Sequence, residues 1–281
     1  MKILDGKLVS NLILEKITGE VCQLPKKPKL TVIMVGEDPA SLVYVRNKQK
    51  ACEKVGIAWQ QINLDAAKTT TDTLINEIKK LNSDKNVNGI LVQVPLPKHV
   101  YLPEVVKAIN PYKDVDGFHA YNLGKTVLSV QFEELVPCTP KGIIRLLEHY
   151  DIDVRGMDAT IVGHSNIVGK PISAMLLNRG ATVTTCHIDT KDLKSHTKNA
   201  DLIVVAVGKA GLLSADMVKK SAIIIDVGMN KIDGKLVGDC DFEKIAKKAS
   251  YITPVPGGVG PMTVACLMEN TLIAYKKQLN Q

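Results

Sequence analysis

Apolar residues recur at helical spacing near the start of the chain, at Val9, Leu12, Ile13, Ile17 and Val21, and predict a helix over residues 5–22. The continuous apolar run Leu30–Val35 reads as a strand. ASLVYVRNKQKACEKVG reads as a second helix, ending at Gly56, and AWQQINL as a second strand. Leu74, Ile75, Ile78 and Leu81 share one face of a third helix, TDTLINEIKKLN. GILVQVPLP is a third strand, stopped by Pro95 and Pro97. The first half is thus an alternating αβαβαβ unit without a glycine-rich phosphate loop, and KDVDGF closes it.

The second half repeats the alternation with longer apolar runs. PCTPKGIIRLLEHY predicts a helix with Thr139 as N-cap and Pro140 at its first position. The strand Ala159–Val162 runs into the glycine of TIVGHSNIVGKP. A helix follows with Pro171 in its first turn, Ile172, Met175 and Leu176 on one face, and Gly180 placed to end it. ATVTTC, DLIVVAVG and AIIIDVG read as further strands, buried and parallel by their continuous apolar character. A last helix spans Met262–Lys277. The pattern predicts two α/β domains facing each other over a cleft. The first covers residues 1–120 and is completed by the C-terminal helix, 262–281; the second, 138–261, is a Rossmann-like doubly wound sheet.

The loop at Gly163 narrows the chemistry. Five residues separate Gly163 from Gly169, and Pro171 follows Lys170, so this is no Walker loop. Ser165 occupies the second glycine position of the dinucleotide fingerprint, which therefore fails as well. An ordinary strand–turn–helix is the bland alternative. Against it, Gly163, Gly208 and Gly228 each stand just past a strand, where open α/β sheets bind their ligands.

Composition excludes more than it selects. The 281 residues are 45% hydrophobic, as in an ordinary globular chain. The net charge of +7 is spread out, with no arginine-rich run, so nucleic acid is not the expected partner; a small polyanionic substrate suits it as well. The six cysteines show no C-x-x-C pairing and read as reduced thiols of a cytoplasmic protein. The histidines lack metal-ligand spacing, and no metal is expected. No signal peptide and no membrane span are read either.

Four side chains carry candidate chemistry. Tyr44 and Lys48 stand four apart on a predicted helix and share a face, which suits a flat, partly anionic substrate; a solvated pair is the alternative. Short-chain dehydrogenases also use Y-x-x-x-K, but after their cofactor loop, the reverse of the order here. Gln93 sits near the end of an apolar strand and must find a partner or a ligand. Asp114 and Asp116 fit either a turn or a site. PVPGGVGP is a constrained loop that brings backbone close to something.

SLVYVRNKQKACEKVGI, GILVQVPLP, KDVDGF, PCTPKGI, VGHSNIVGKP, TVTTCH and PVPGGVGPMT occur in order over nearly the whole chain. Together they closely resemble the bifunctional methylenetetrahydrofolate dehydrogenase/methenyltetrahydrofolate cyclohydrolase family. The resemblance implies a cytoplasmic homodimer serving one-carbon metabolism, and through it purine and amino-acid biosynthesis. It implies a folate cleft in which 5,10-methylenetetrahydrofolate is oxidised to the methenyl form, then hydrolysed to 10-formyltetrahydrofolate. It also implies the roles: Lys48 catalytic, Tyr44 against the folate rings, Gln93 positioning Lys48, and Asp116 holding the pterin. Val92, Val94 and Pro256, Gly257, Gly258, Val259 and Gly260 would line the folate pocket. Gly163, His164, Ser165, Ile188 and Met229 would contact the cofactor, NADP, with NAD possible. A non-catalytic folate- or nucleotide-binding module is the competing reading. Many family members carry Arg where this chain has His164, and past TTCH often show Ser or Arg where it reads Ile188–Asp189, which predicts weaker discrimination against NAD. Asp189 falls near the spacing, about 20 residues past the loop, of a ribose-binding acid; pointing to solvent or capping the TKDLKSH segment are its alternatives.

Overall fold

The computed structural model describes residues 1–279, with only the backbone considered at position 40. Strand β1 (Lys2–Ile3) precedes helix α1 (Gly6–Cys22). There follow β2 (Lys29–Val35), α2 (Pro39–Val55), β3 (Ala58–Leu64), α3 (Thr71–Ser83) and β4 (Gly89–Val92), then α4 (Leu102–Ala108) and α5 (Ala120–Leu128). Helix α6 (Cys138–His149) leads to β5 (Asp158–Val162), α7 (Gly169–Asn178), β6 (Thr182–Cys186), α8 (Leu193–Thr197), β7 (Leu202–Val205) and β8 (Ile223–Asp226). A hairpin of β9 (Asn230–Ile232) and β10 (Lys235–Val237), then α9 (Phe242–Ala246), β11 (Tyr251–Ile252) and α10 (Val259–Leu279), complete the chain. The chain divides into two compact units. One comprises Met1–Ser10, Thr126–Phe132 and Thr139–Thr263; the other comprises Asn11–Lys125, Glu133–Cys138 and Val264–Gln281.

The unit holding residues 11–125 is built on a parallel sheet in the order β3-β2-β4. Helix α2 begins because Asp38 accepts the Ser41 N–H at 2.8 Å and Pro39 presets the first turn. It ends because Gly56 adopts φ +79° and returns its N–H to Cys52 and Glu53. Helix α3 starts with a reciprocal capping box between Thr70 and Thr73 and buries Leu74, Ile78 and Leu81. One core joins Leu30, Val32 and Met34 of β2 to Val45, Cys52 and Val55 of α2 and to Cys266, Leu267, Met268 and Leu272 of α10. A second core packs Ile33 and Val92 against Leu74 and Ile78.

Asn270 ties α10 to the segment that carries the acidic residues. Fully buried, it donates to the Val115 and Val136 carbonyls, both at 2.9 Å. Lys113 is buried too, and its ammonium caps α3 by donating to the carbonyls of Leu81, Asn82 and Asp84.

The other unit carries a six-stranded parallel sheet in the order β1-β11-β8-β7-β5-β6. Strands β7 and β8 are entirely buried, as their apolar runs demand. From β5 the chain winds first to β6 on one side and then to β7 on the other. The strand order therefore reverses between β5 and β7, and a crevice opens at their carboxyl ends.

Three readings shift. Helix α6 begins at Cys138, so Thr139 lies inside the first turn rather than capping it, its hydroxyl 3.0 Å from that of Thr263. Strand β4 ends at Val92, before the prolines, because Gln93 is the last residue whose N–H still reaches β2, at Ile33 O (2.8 Å). The loop PVPGGVGP is half helix, since α10 starts at Val259. Before that, Gly257 O accepts the Lys7 N–H at 3.1 Å, and a Cβ at Gly6 would meet Gly258 O at 1.8 Å.

Candidate active site

Lys48 and Tyr44 lie one turn apart on α2, and each is partly buried. The Lys48 ammonium donates to Gln93 Oε1 at 2.9 Å. Gln93 is itself buried, and its Nε2 donates to Val94 O at 2.6 Å. That second bond fixes which end of the amide faces the lysine: the oxygen does, and it can only accept. The Val94–Pro95 peptide next to it is cis. Val92 points away from this group, into the core with Ile33 and Leu74.

The two aspartates of KDVDGF part company. Asp114 is a turn residue: it accepts the N–H groups of Gly117 (3.1 Å), Phe118 (3.3 Å) and His119 (2.8 Å), and the Asn122 amide at 2.8 Å. Asp116 accepts a hydrogen bond from Cys138, and its charge acts on Lys48. Burial pushes its carboxyl up to about 6, and the nearby charge of Asp114 adds to this, against the pull of the Lys48 ammonium. Burial also lowers the Lys48 ammonium below the ordinary lysine value, with Asp116 opposing. Desolvation outweighs mutual attraction for both members of the pair. The Tyr44 hydroxyl is likewise raised by burial.

The remaining predicted site residues belong to the other unit. Pro256, Gly257 and Gly258 link β11 to α10, and Val259 and Gly260 open α10. Gly163 follows β5 with φ +124°, and a Cβ there would meet Ala206 O at 2.5 Å. A Cβ at Gly169 would sit 2.1 Å from Gly163 O. The loop therefore folds bare backbone onto backbone. Ser165 pins it, its hydroxyl accepting from Val168 N (3.2 Å) and Gly169 N (3.4 Å) at the start of α7. His164 is exposed, and its ring lies 5.0 Å from that of His187, past β6. Asp189 approaches the same ring, 3.5 Å from His187 Nδ1.

Apolar side chains stand in solvent around this edge: Ile188 (92% exposed) past β6, Val207 (40%) past β7 and Met229 (42%) past β8. Exposed apolar residues at three successive strand ends, around a glycine loop at the sheet's switch point, fit the flat rings and pyrophosphate of a dinucleotide. Among the described residues no group of three or more His, Cys, Asp or Glu side chains could hold a metal ion. No helix among them is long and apolar enough to cross a membrane. Asp226 and Asp239, buried beside β7 and β8, were not singled out from the sequence. An acid ending the apolar run IIID, echoed by a second acid in GDCDF, is the signal that marks them.

A parallel sheet with a dinucleotide crevice, and a second α/β unit bearing the partly buried Lys48, define a nucleotide-dependent α/β enzyme. The family models agree. Residues 4–116 match the catalytic domain of tetrahydrofolate dehydrogenase/cyclohydrolase, and residues 137–279 match its NAD(P)-binding domain. The chain is 52% identical over 285 residues to the bifunctional protein FolD of Helicobacter hepaticus, covering 100% of this chain and 99% of that one. The crystal structure of the Campylobacter jejuni bifunctional enzyme FolD superposes with a TM-score of 0.96 at 49% identity, covering 99% of each chain. The Trypanosoma brucei enzyme, solved with NADP and an inhibitor, gives 0.95 at 34% identity, covering 100% of this chain and 99% of that one. The chain belongs to the tetrahydrofolate dehydrogenase/cyclohydrolase family.

The raised Asp116 carboxyl makes stability depend on pH. A folded pKa above the unfolded value of 3.8 contributes stability fully present below 3.8 and lost as pH rises through about 6. Chemical denaturation of wild type and Asp116→Asn between pH 4 and 7 should show the balance moving toward the Asn variant as pH rises, by up to about 3 kcal/mol. A pH-independent difference would mean that Asp116 titrates normally.

Proposed function

We propose that this chain oxidises 5,10-methylenetetrahydrofolate to the 5,10-methenyl form with NADP, accepting NAD less well, and hydrolyses that product to 10-formyltetrahydrofolate. The observation that carries the reading is the Lys48 ammonium, lowered by burial and held by the acceptor end of Gln93. Bound dinucleotide supplies the hydride acceptor. The chain's own residues hold the folate and move its protons.

Oxidation leaves a cationic carbon between two nitrogens, and hydrolysis must take a proton from the water that attacks it. Lysine at its ordinary pKa is a poor base near neutrality. Burial moves Lys48 in the useful direction, and the substrate cation beside it moves it further. Because Gln93 accepts an N–H, it leaves the lone pair of the neutral amine free to point at water. Tyr44 offers a ring face to the folate. Asp116, ionised above about 6, accepts from the pterin's amino and ring N–H groups. Pro256, Gly257, Gly258, Val259 and Gly260 complete the folate pocket in this proposal, with the backbone at Val92 and Val94. Gly163, His164, Ser165, Ile188 and Met229 contact the dinucleotide.

A cytoplasmic homodimer supplying formyl groups to purine and amino-acid biosynthesis completes the proposal. None of the six cysteines forms a disulfide, which supports a reducing compartment. Exposed Val127, Leu128, Val130 and Phe132 on one short segment support a covered face.

Two expectations follow from the site. Lys48→Met should abolish hydrolysis of added methenyl-folate while the dinucleotide still binds; hydrolysis at the wild-type rate would remove Lys48 from its role. The second concerns cofactor choice. An imidazole stands where a guanidinium would pair with a 2′-phosphate, and Asp189 brings a carboxylate close. His164→Arg and Asp189→Ser should each raise the ratio of kcat/KM for NADP over NAD, about tenfold for each 1.4 kcal/mol gained. An unchanged ratio in both would show that neither residue meets the 2′ position.

A further inference from the structure

Two carboxylates interlock beneath the loops that follow β7 and β8. Asp239 is fully buried. Its Oδ2 accepts from the N–H groups of Val207 (2.8 Å) and Gly208 (3.0 Å), and its Oδ1 from Asn230 Nδ2 (2.9 Å). Asp226, at the end of β8, accepts through Oδ1 from Gly228 N and Asp239 N, and through Oδ2 from Cys240 N, all at 2.9 Å. Two glycines leave room for the crossing. A Cβ at Gly228 would lie 2.2 Å from the Asp239 carboxyl, and one at Gly238 would lie 2.0 Å from Asp226 Oδ2.

The hairpin β9–β10 brings Asp239 back under the sheet edge. The loops it fastens bear Val207 and Met229, two of the exposed apolar side chains at the dinucleotide edge. The Val207 and Gly208 N–H groups are spent inward on Asp239, so they are not donors to a phosphate. A buried negative charge close to a site for a polyanion opposes binding by simple electrostatics. Asp239 can therefore favour binding only through the loops it holds, by sparing the cost of ordering them.

We infer that Asp239 is a positioning residue for the dinucleotide, clamping the Val207–Gly208 loop from inside and, through Asn230, the loop that carries Met229. This rests on the dinucleotide reading above. No contact between Asp239 and the dinucleotide is required.

The test is calorimetric titration of wild type, Asp239→Asn and Asn230→Ala with NADP, without folate, together with hydrogen exchange at the Val207 and Gly208 amides. In Asp239→Asn, either orientation of the new side-chain amide sets an NH2 group against an N–H donor. Asp239→Asn should weaken NADP binding about tenfold or more and speed exchange at both amides. Asn230→Ala, which removes the Oδ1 contact together with the Asn230 bonds to the Val237 and Gly238 carbonyls but leaves Oδ2 on the loop amides, should weaken binding by a smaller factor, about threefold. Should Asp239→Asn fail to fold, Asn230→Ala decides: weaker binding upholds the inference, and unchanged binding overturns it. A folded Asp239→Asn that binds NADP as tightly as wild type, or more tightly, overturns it even if the amides exchange faster. Failure of wild type to bind any dinucleotide would instead sink the functional reading itself.

Discussion

An ammonium group drawn out of water is the constraint on which the catalytic unit turns. Lys48 reaches from α2 to the end of β4, where Gln93 accepts its hydrogen bond and Asp116 supplies the nearest opposite charge. Taking such a pair out of water costs more than its attraction returns, so both members shift toward their neutral forms. That cost is tolerated because the surroundings over-determine the geometry. Asp114 organises the turn that carries Asp116, and Asn270 anchors the flanking carbonyls. Lys113 fastens the same segment to α3. Strain of this kind is what a site needs when a lysine has to exchange protons near neutral pH.

The dinucleotide unit solves a different problem with the opposite material. Its edge has to admit a polyanion, so it offers bare backbone at Gly163 and Gly169 and keeps Asp226 and Asp239 buried underneath, while Asp189 stands exposed beside His187. Asp226 and Asp239 are buried, their carboxyl oxygens taken up by backbone N–H groups and the Asn230 amide. Around them stand the apolar side chains of Ile188, Val207 and Met229, with two imidazoles and the Asp189 carboxylate at the β6 end.

Much of the fold was legible because burial imposes a period. The apolar runs of β2, β5, β7 and β8 and the single apolar face of α3 admit few other readings. The two-residue strands β1 and β11 have too few positions to show any period, and only their place in the sheet defines them. The β9–β10 hairpin did carry a signal, Asp233–Gly234 between short alternating runs, and both residues take positive φ. Within the site, Tyr44 and Lys48 were legible from helical spacing and Gln93 from a polar residue in an apolar run. The difference between Asp114 and Asp116 was not, since both suit a turn and only the folded chain decides which one is used up. Asp239 was hidden for a related reason: besides Asn230 it is held by the backbone N–H groups of Val207 and Gly208, and backbone partners leave no trace in sequence.

Direct titration of Lys48 tests the central claim most closely. With lysines carrying 13C-methyl labels and Lys48→Arg used to assign the resonance, the ligand-free protein can be followed by NMR from pH 6 upward. A Lys48 midpoint clearly below the ordinary 10.5, falling further in Asp116→Asn, is the expected result. A midpoint at or above 10.5 would contradict a lysine lowered by burial, and with it the role given to Lys48 in moving protons.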